Sequence, residues 1–175
     1  QINHNKRETL KNDIHLNALA YGVGIVSNEE IDEINILNAS FLAMHRAIDA
    51  LKDLIPENLI IDGNRFTPYK NISHVCIVKG DSKYQSIAAA SILAKTYRDK
   101  MMMDLHEEFE QYDWKSNKGY PTFKHRKALN LHGKSIHHRN SFNLYGTNKQ
   151  LDIFDHICGS WIPTPHYYKT FIFIF

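Results

Sequence analysis

Apolar residues along the chain form three short runs and one longer periodic stripe, which together predict strands separated by helices. The runs cover residues 20–26, 59–61 and 75–78. Each is predicted to be a strand, and the second and third are short enough to be buried strands. The stripe has apolar positions four and three residues apart, which predicts one face of a helix turned towards the core. Its members are Leu37, Phe41, Met44, Ile48 and Leu51.

Polar residues beside these apolar segments mark where the helices begin and end. Ser27 followed by Glu30 has the Ser-x-x-Glu form of a capping box, so a helix is predicted to start there. Pro56 ends it, because proline lacks the amide hydrogen that a helix interior needs. Ser82 offers a second cap, for a long helix that continues to about residue 106.

Length and composition limit the class of protein. A chain of 175 residues and 20.4 kDa has room for one domain with a sizeable core. Hydrophobic residues at 43% and charged residues at 23% exclude a disordered or collagen-like chain, and two cysteines cannot form a disulfide framework. Without an apolar run of about 18 residues or a secretory signal, we expect a cytoplasmic protein that does not cross a membrane.

The net charge of +2 is too small to indicate nucleic-acid binding, but the basic residues are concentrated in one block. Residues 114–139 contain no Asp or Glu, and a helix is predicted within them from Thr122 to Gly133. Cations mixed with aromatic rings are typical of polyanion binding, and a solvated basic face is the alternative. The strong bases are Lys115, Lys118, Lys124, Arg126, Lys127, Lys134 and Arg139, and the rings are Trp114, Tyr120 and Phe123.

Two aspartates, Asp62 and Asp81, follow the second and third predicted strands, and each lies next to a glycine. Open α/β sheets place their ligand sites beyond the carboxyl ends of strands, and paired carboxylates suit hard cations such as Mg²⁺. A single aspartate there is more often a turn former or a helix cap. The surrounding features therefore favour a catalytic interpretation of the two aspartates. Two carboxylates, a helix N-terminus and a basic block together predict metal-dependent phosphodiester hydrolysis.

Other residues of chemical interest receive structural interpretations. The spacing of the 11 histidines matches no zinc-site pattern, so most are interpreted as surface or phosphate-contacting residues. Asp32 and Glu33 lie in an acid-rich helix start, where negative charge is favoured anyway. Cys76 lies within an apolar strand and is predicted to be a small core residue.

Four segments of the chain resemble, in their order and spacing, the motif series of bacterial ribonuclease HII. They cover residues 61–64, 78–99, 117–122 and 138–142, and the resemblance extends over about residues 1–146. It implies a ribonuclease H-like α/β fold, with a mixed sheet and flanking helices. It also implies an endonuclease that cuts the RNA strand of RNA–DNA hybrids, including single ribonucleotides in duplex DNA.

The same resemblance implies roles for particular residues. The family uses four carboxylates and two Mg²⁺ or Mn²⁺ ions, and Asp62 and Asp81 match the third and fourth carboxylates. Tyr120 matches the tyrosine that packs against the sugar at the scissile step. Four cations inside the motifs are candidate contacts to the nucleic-acid backbone, namely Lys79, Lys83, Lys118 and Arg139.

One motif of the family has no match in this sequence. The family opens with a strand that ends in Asp-Glu-Ala-Gly-Arg-Gly, which supplies the first two metal ligands and the loop that reads the 2′-hydroxyl. We therefore expect the first two strands of the fold to be missing, so that residues 1–146 form a partial catalytic domain. In a sheet of order 3-2-1-4-5, residues 21–26 would be edge strand 3 and residues 59–61 strand 4, with a gap between them.

The missing motif affects what the chain is expected to do. The chain by itself is expected to be inactive, although the full-length protein is expected to be a monomer that acts on RNA–DNA hybrid or ribonucleotide-containing DNA. The alternatives are a non-catalytic nucleic-acid-binding remnant and a fragment that does not fold. Residues 147–175, which end in an aggregation-prone apolar segment, form a tail without an assigned function or a visible partner.

Overall fold

The computed structural model describes residues 3–52 and 54–142, together with the backbone of residues 169–174. The chain combines helices with strands, including a parallel pair, which confirms the predicted α/β class. The helices are α1 (His4–Asn17), α2 (Asn28–Asp49), α3 (Gln85–Glu108), α4 (Trp114–Asn117) and α5 (Phe123–His132). The strands are β1 (Tyr21–Val26), β2 (Asn58–Asp62), β3 (Ser73–Ile77) and β4 (Lys169–Ile174). Two 3₁₀ turns cover Gly80–Ser82 and Glu110–Tyr112.

The capping box predicted at the start of α2 is confirmed. The Glu30 amide donates to Ser27 Oγ at 3.2 Å, and the Ser27 amide donates to Glu30 Oε2 at 2.9 Å. Arg46, on the same helix, donates to Glu30 and also to the carbonyl of Ile25 at 2.7 Å. Its hydrogen bond is the largest cause that lowers the pKa of Glu30 to about 2. One guanidinium thus ties the end of β1 to both halves of α2.

The apolar stripe of α2 is buried from Phe41 onwards, but Leu37 is 46% exposed. Asn35 breaks the helix with a φ of 66°, and its side-chain oxygen accepts from the amides of Leu37 and Asn38. Asn35 thereby caps a second helical segment, and Leu37 lies in its first turn. The break explains why the stripe, which was predicted as continuous, begins one turn late.

Strand β1 packs on α2 at very close range because two of its residues are glycines. A Cβ atom on Gly24 would collide with the carbonyl oxygen of Ala43 and lie 2.6 Å from the amide nitrogen of Ala47. Gly22 makes an equally close approach to the carbonyl of Ala47. Both alanines are fully buried, so the contact is backbone against backbone and leaves no room for a side chain.

The described strands form two sheets of two strands each. In one, β2 and β3 are parallel, with Asp62 opposite Ile77 at their shared end. In the other, β1 and β4 are antiparallel, from Tyr21 opposite Ile174 to Val26 opposite Lys169. Within the described ranges β1 is not paired with β2, so the two strands belong to separate sheets. The gap of two missing strands between them stays a prediction.

Part of the tail has a structural partner that was not visible in the sequence. Residues 169–174 hydrogen-bond along the whole of β1, and the β4 backbone lies against both α2 and α3. Backbone pairing of this kind depends on a free strand edge and not on a local sequence signal, which is why the sequence did not indicate it. The remainder of the predicted tail, residues 147–168, lies outside the described residues.

Strand β3 is more exposed than its apolar sequence predicted. Leu59 and Ile61 of β2 are 1% and 2% exposed, whereas Val75 of β3 is 61% exposed. Within the described part of the chain β3 pairs with β2 alone, so its other edge is open. The prediction of a buried strand is therefore confirmed for the face of β2 that carries Leu59 and Ile61 and is wrong for β3. Cys76, predicted as a core residue, is half-buried and packs against the cluster around Ile61.

Helix α3 starts two residues later than predicted, with its N-cap at Tyr84 instead of Ser82. Ser82 does not cap it, because Ser82 lies in a 3₁₀ turn and its hydroxyl donates to the carbonyl of Lys79 at 2.8 Å. Tyr84 occupies the N-cap position of α3 without a side-chain hydrogen bond. At 24 residues α3 is long, but no helix in the described ranges is apolar enough to cross a membrane.

A buried aromatic cluster joins α4, α5 and the segment after α5. Trp114 and His125 are fully buried and His138 is 2% exposed. The two imidazole rings stack with centroids 5.3 Å apart, and Tyr112 stacks on Trp114 at 5.1 Å. The surface interpretation of the histidines is therefore wrong for His125 and His138. Trp114 likewise belongs to the core and is not available to stack on a nucleic-acid base.

The first prediction concerns the contact between β1 and α2. Gly24→Ala should lower the free energy of unfolding by about 2 kcal/mol or more, because the added methyl group meets backbone atoms that cannot rotate away. Urea unfolding followed by circular dichroism measures the change. Gly133→Ala is the comparison: its Cβ would meet no atom within 4 Å, and only its φ of +75° opposes alanine. A variant at Gly24 as stable as the wild type would contradict the packing.

The second prediction concerns the buried imidazole pair. Burial, and secondarily the neighbouring His125, lowers the pKa of His138 to about 4, and burial lowers that of His125 as well. The unfolded chain, whose histidines titrate near 6.5, therefore binds more protons between about pH 4 and 6.5. Stability should fall as the pH falls through that window, by up to about 3 kcal/mol for His138 alone.

Urea unfolding at pH 7.5 and at pH 5 tests this dependence. His138→Asn should flatten it, because the amide oxygen can still accept from the Ser135 amide, now 2.9 Å from His138 Nδ1, but does not titrate. The exposed His132→Asn is the matched control and should keep the wild-type dependence. An undiminished loss of stability in His138→Asn would show that other groups cause it.

Candidate active site

The two candidate carboxylates follow the parallel strands β2 and β3. Asp62 is the last residue of β2 and lies opposite Ile77, the last residue of β3. The ladder continues one step further, since the amide of Gly63 donates to the carbonyl of Ile77 at 3.0 Å. Beyond β3, Lys79 adopts a left-handed conformation with φ 55° and turns the chain into the 3₁₀ turn that carries Asp81. Asp62 and Asp81 thus lie beyond the carboxyl ends of neighbouring strands.

A hydrogen bond holds this turn against the end of β2. The amide of Gly80 donates to Asp62 Oδ1 at 2.8 Å, and Asp81 is the next residue. Gly80 is buried, and a Cβ there would lie 2.6 Å from Ile87 Cδ1 of α3 and 3.4 Å from Asp62 Oδ1. A side chain at this position would have to displace Ile87. Glycine therefore lets the turn lie close against α3.

Lys95 of α3 is a third charged residue at this site, and the sequence did not single it out. Burial lowers the pKa of its ammonium group, and the charge of Arg7 acts in the same direction. The charges of Asp81 and Asp62 oppose that shift, so Lys95 lies within electrostatic reach of both carboxylates. Its place in segment 78–99 was the only sequence signal. A half-buried cation here offsets the repulsion between two carboxylates.

One face of α3 leads from the aspartate pair to a second group of charged residues. Arg98 and Asp99 follow Lys95 by three and four residues, so they lie about 5 Å further along the same face. Asp99 is 8% exposed and accepts from Arg7 Nη2 of α1 at 3.0 Å. This ion pair fixes α1 against α3 and balances part of the positive charge on that face.

Tyr120 lies at the end of that face, in a tight turn after α4. Lys118 and Gly119 both have positive φ, 49° and 81°. Arg98 Nη2 donates to the Lys118 carbonyl at 2.5 Å, and its guanidinium lies 5.3 Å from the centroid of the Tyr120 ring. The Tyr120 side chain is half-buried, and burial is the main cause that raises the pKa of its phenol.

Three of the four candidate backbone-contacting cations surround these residues. Lys79 and Lys83 are exposed on either side of Asp81, and Lys83 Nζ donates to the carbonyl of Val78 at 2.9 Å. Lys118 is partly buried, and this burial lowers the pKa of its ammonium group against the attraction of Asp99. The structure therefore gathers Lys79, Lys83 and Lys118 on the elements that carry Asp81 and Tyr120.

Arg139, the fourth candidate cation, lies elsewhere and is buried. Its Nε donates to Asp32 Oδ1 at 3.3 Å and its Nη2 to Ser141 Oγ at 3.1 Å. Asp32 also accepts from the amides of Asn140 and Ser141 and from the Ser141 hydroxyl. Burial favours the neutral acid, yet these hydrogen bonds outweigh it and lower the pKa of Asp32. Arg139 thus anchors residues 139–141 to α2, and Asp32 neutralises its positive charge.

The carboxylate pair has the donor chemistry for a hard divalent cation, which takes oxygen ligands and keeps several waters. No group of three or more His, Cys, Asp or Glu side chains is placed to hold a metal in the part of the chain that the structure describes. Asp62 and Asp81 can therefore supply two carboxylates of a site, with Lys95 close by. Two carboxylates that keep most of the water shell of the ion bind it weakly.

Comparison with known proteins identifies the family. The family model for ribonuclease HII matches residues 1–145. A ribonuclease HII of Phocaeicola vulgatus is 60% identical over 153 residues, which are 87% of this chain and 76% of that protein. One from Bacteroides fragilis is 59% identical over 154 residues, 88% of this chain and 76% of its own length. One from Porphyromonas gingivalis is 56% identical over 142 residues, 81% and 70%. The chain belongs to the ribonuclease HII family.

Proposed function

We propose that Asp62 and Asp81 are catalytic, metal-binding residues of an endonuclease that hydrolyses the RNA strand of RNA–DNA hybrids, including single ribonucleotides in duplex DNA. The observation that carries this proposal is the hydrogen bond from the Gly80 amide to Asp62. It brings the ends of β2 and β3 together, so that two carboxylates share one edge of a parallel sheet. Membership of a ribonuclease family supports the reaction class.

The metal ions in this proposal are Mg²⁺ or Mn²⁺, held in part by Asp62 and Asp81. Such ions supply an activated water and stabilise the charge that develops on the leaving oxygen. The residues of the chain have separate tasks. The two carboxylates would hold the cation, and the charge of Lys95 would limit their mutual repulsion. The 3₁₀ turn keeps Asp81 beside Asp62 and thereby sets the spacing of the ligands.

Nucleic-acid contacts in the proposal come from Tyr120, Lys79, Lys83 and Lys118. The Tyr120 ring offers an apolar face to a sugar, and the exposed Lys79 and Lys83 can neutralise phosphates near the carboxylates. Arg139 is left out of this set, because its guanidinium already pairs with Asp32. The contacts are therefore proposed on the α3 and α4 side of the site only.

The 175 residues contain two of the four carboxylates that the family resemblance implies. The 175 residues do not include the Asp-Glu-Ala-Gly-Arg-Gly motif. A metal held by two carboxylates, without the loop that reads the 2′-hydroxyl, lacks both full coordination and selectivity. We therefore propose that the 175-residue chain by itself binds a hybrid duplex but does not cleave it.

A second candidate function is nucleic-acid binding without any catalysis. The exposed cations of α5, Lys124 and Lys127, support it, because they belong to the basic block and are available to phosphates. Such a protein would bind the duplex with a steep dependence on salt and ignore Mg²⁺. A metal-dependent site would instead respond to the ion.

The third prediction concerns hydrolysis by the chain. Incubation of the 175-residue protein with a duplex that contains one ribonucleotide, in Mg²⁺ or Mn²⁺, should release no product on a denaturing gel. The same protein should shift a labelled RNA–DNA hybrid in a binding assay, more weakly as salt is raised. Robust cleavage that Asp62→Asn abolishes would disprove the predicted inactivity and establish the site. Absence of any duplex binding would contradict the proposed function itself.

The fourth prediction concerns metal binding by the carboxylate pair. Titration with Mn²⁺, followed by the electron paramagnetic resonance signal of the free ion, should show weak binding that Asp62→Asn and Asp81→Asn each reduce by about tenfold or more. Asp104→Asn is the matched control, because it removes an exposed carboxylate of α3 that pairs with Lys100. Equal Mn²⁺ binding by all three variants and the wild type would place the ion elsewhere.

A further inference from the structure

The turn that carries Tyr120 has a backbone that needs external support. Lys118 has a left-handed conformation, which is unfavourable for a residue with a side chain, and Gly119 follows with positive φ. Asn117 supports the turn from within: its Nδ2 donates to the Tyr112 carbonyl at 2.6 Å, and its Oδ1 accepts from the Gly119 amide at 2.8 Å. These bonds determine the path of the backbone but leave the side chain of Tyr120 unconstrained.

Arg98 supplies the constraint on that side chain. One end of its guanidinium donates to the Lys118 carbonyl at 2.5 Å, and the flat group lies 5.3 Å from the centre of the Tyr120 ring. Both contacts come from a single planar group, so the carbonyl and the ring are fixed relative to each other. The ring is thus held between its own turn and α3.

Helix α3 connects the contact between Arg98 and the Tyr120 ring to the carboxylates. Lys95 precedes Arg98 by one helical turn and lies within electrostatic reach of Asp62 and Asp81. Asp99, next to Arg98, is held by Arg7 at 3.0 Å, which restrains the helix against α1. A rigid helix therefore sets the separation between the Tyr120 ring and the aspartate pair.

We propose that Arg98 is a positioning residue, which fixes the Tyr120 ring relative to Asp62 and Asp81 before a nucleic acid binds. This inference rests on the proposed function, in which Tyr120 packs against a sugar of the duplex. A ring fixed in advance does not lose conformational freedom when it contacts the substrate, so the contact contributes more to affinity. Arginine is required because lysine lacks the planar group that serves both contacts.

The fifth prediction uses a double-mutant cycle on hybrid binding. In a fluorescence-anisotropy titration with an RNA–DNA hybrid, Arg98→Gln and Tyr120→Leu should each weaken binding about tenfold. The double variant should be no weaker than the weaker single variant, because Arg98 acts through the ring. Lys100→Gln removes an exposed cation from the same helix and should bind like the wild type. Additive losses in the double variant would mean that Arg98 contacts the duplex directly, and they would overturn the inference.

A measurement without nucleic acid separates this inference from the proposed function. In protein labelled with carbon-13 at the tyrosine Cζ, Tyr120→Leu identifies the Tyr120 resonance. Burial raises the pKa of that phenol, and the charge and hydrogen bond of Arg98 oppose this shift, so Arg98→Gln should move the resonance and raise the pKa further. Lys100→Gln should leave both unchanged. An unmoved resonance in Arg98→Gln overturns the inference even if hybrid binding is normal.

Two further outcomes, a wild type that binds no hybrid and an Arg98→Gln variant that does not fold, also have defined consequences for the inference. If the wild type binds no hybrid, the proposed function fails, and the Tyr120 resonance alone decides whether Arg98 positions the ring. If Arg98→Gln does not fold, as judged by circular dichroism, Arg98→Lys takes its place. Lysine keeps the charge but not the planar group, so it should still weaken binding and shift the resonance. If Arg98→Lys had the wild-type hybrid affinity and the wild-type Tyr120 resonance, a positive charge would be sufficient at this position. That result would refute the proposed role of the planar guanidinium.

Discussion

The Gly80–Asp62 hydrogen bond is the constraint on which the site depends. It joins the end of β2 to the turn after β3 at 2.8 Å, and Gly80 lets that turn close against Ile87 of α3. Parallel strands bring their carboxyl ends to one edge, but the loops beyond that edge can still diverge. Here one backbone amide prevents the divergence, because it ties the turn that carries Asp81 to Asp62, 19 positions earlier in the sequence.

Helix α3 organises the rest of the site around that constraint. Its first turns cover Gly80, its middle brings Lys95 to the carboxylates, and its next turn carries the Arg98 guanidinium to Tyr120. Charge is balanced along this face by the buried Asp99 and its partner Arg7. The helix thus sets the distance between the carboxylate pair and the turn after α4.

Buried polar groups play a larger structural part than the composition indicated. Arg139 and Asp32 pin the segment after α5 to α2, and the His125–His138 pair fills the core beneath it. Both features use residue types that suggest a nucleic-acid surface when read in sequence. Their burial shows that the basic block is divided between an exposed face, on Lys124 and Lys127, and an internal scaffold.

The sequence by itself determined what depends on neighbouring residues, and tertiary structure decided what depends on distant ones. The Ser27 capping box, the start of α5 at Thr122 and the strand-end positions of Asp62 and Asp81 were all predictable, because their partners lie within a few residues. Arg7 meets Asp99 across 92 residues and Arg139 meets Asp32 across 107, so neither pairing leaves a local pattern. The strand pairing of residues 169–174 with β1 belongs to the same class. Side-chain chemistry specifies which bonds a residue can make, but only the folded chain determines which partner comes within reach.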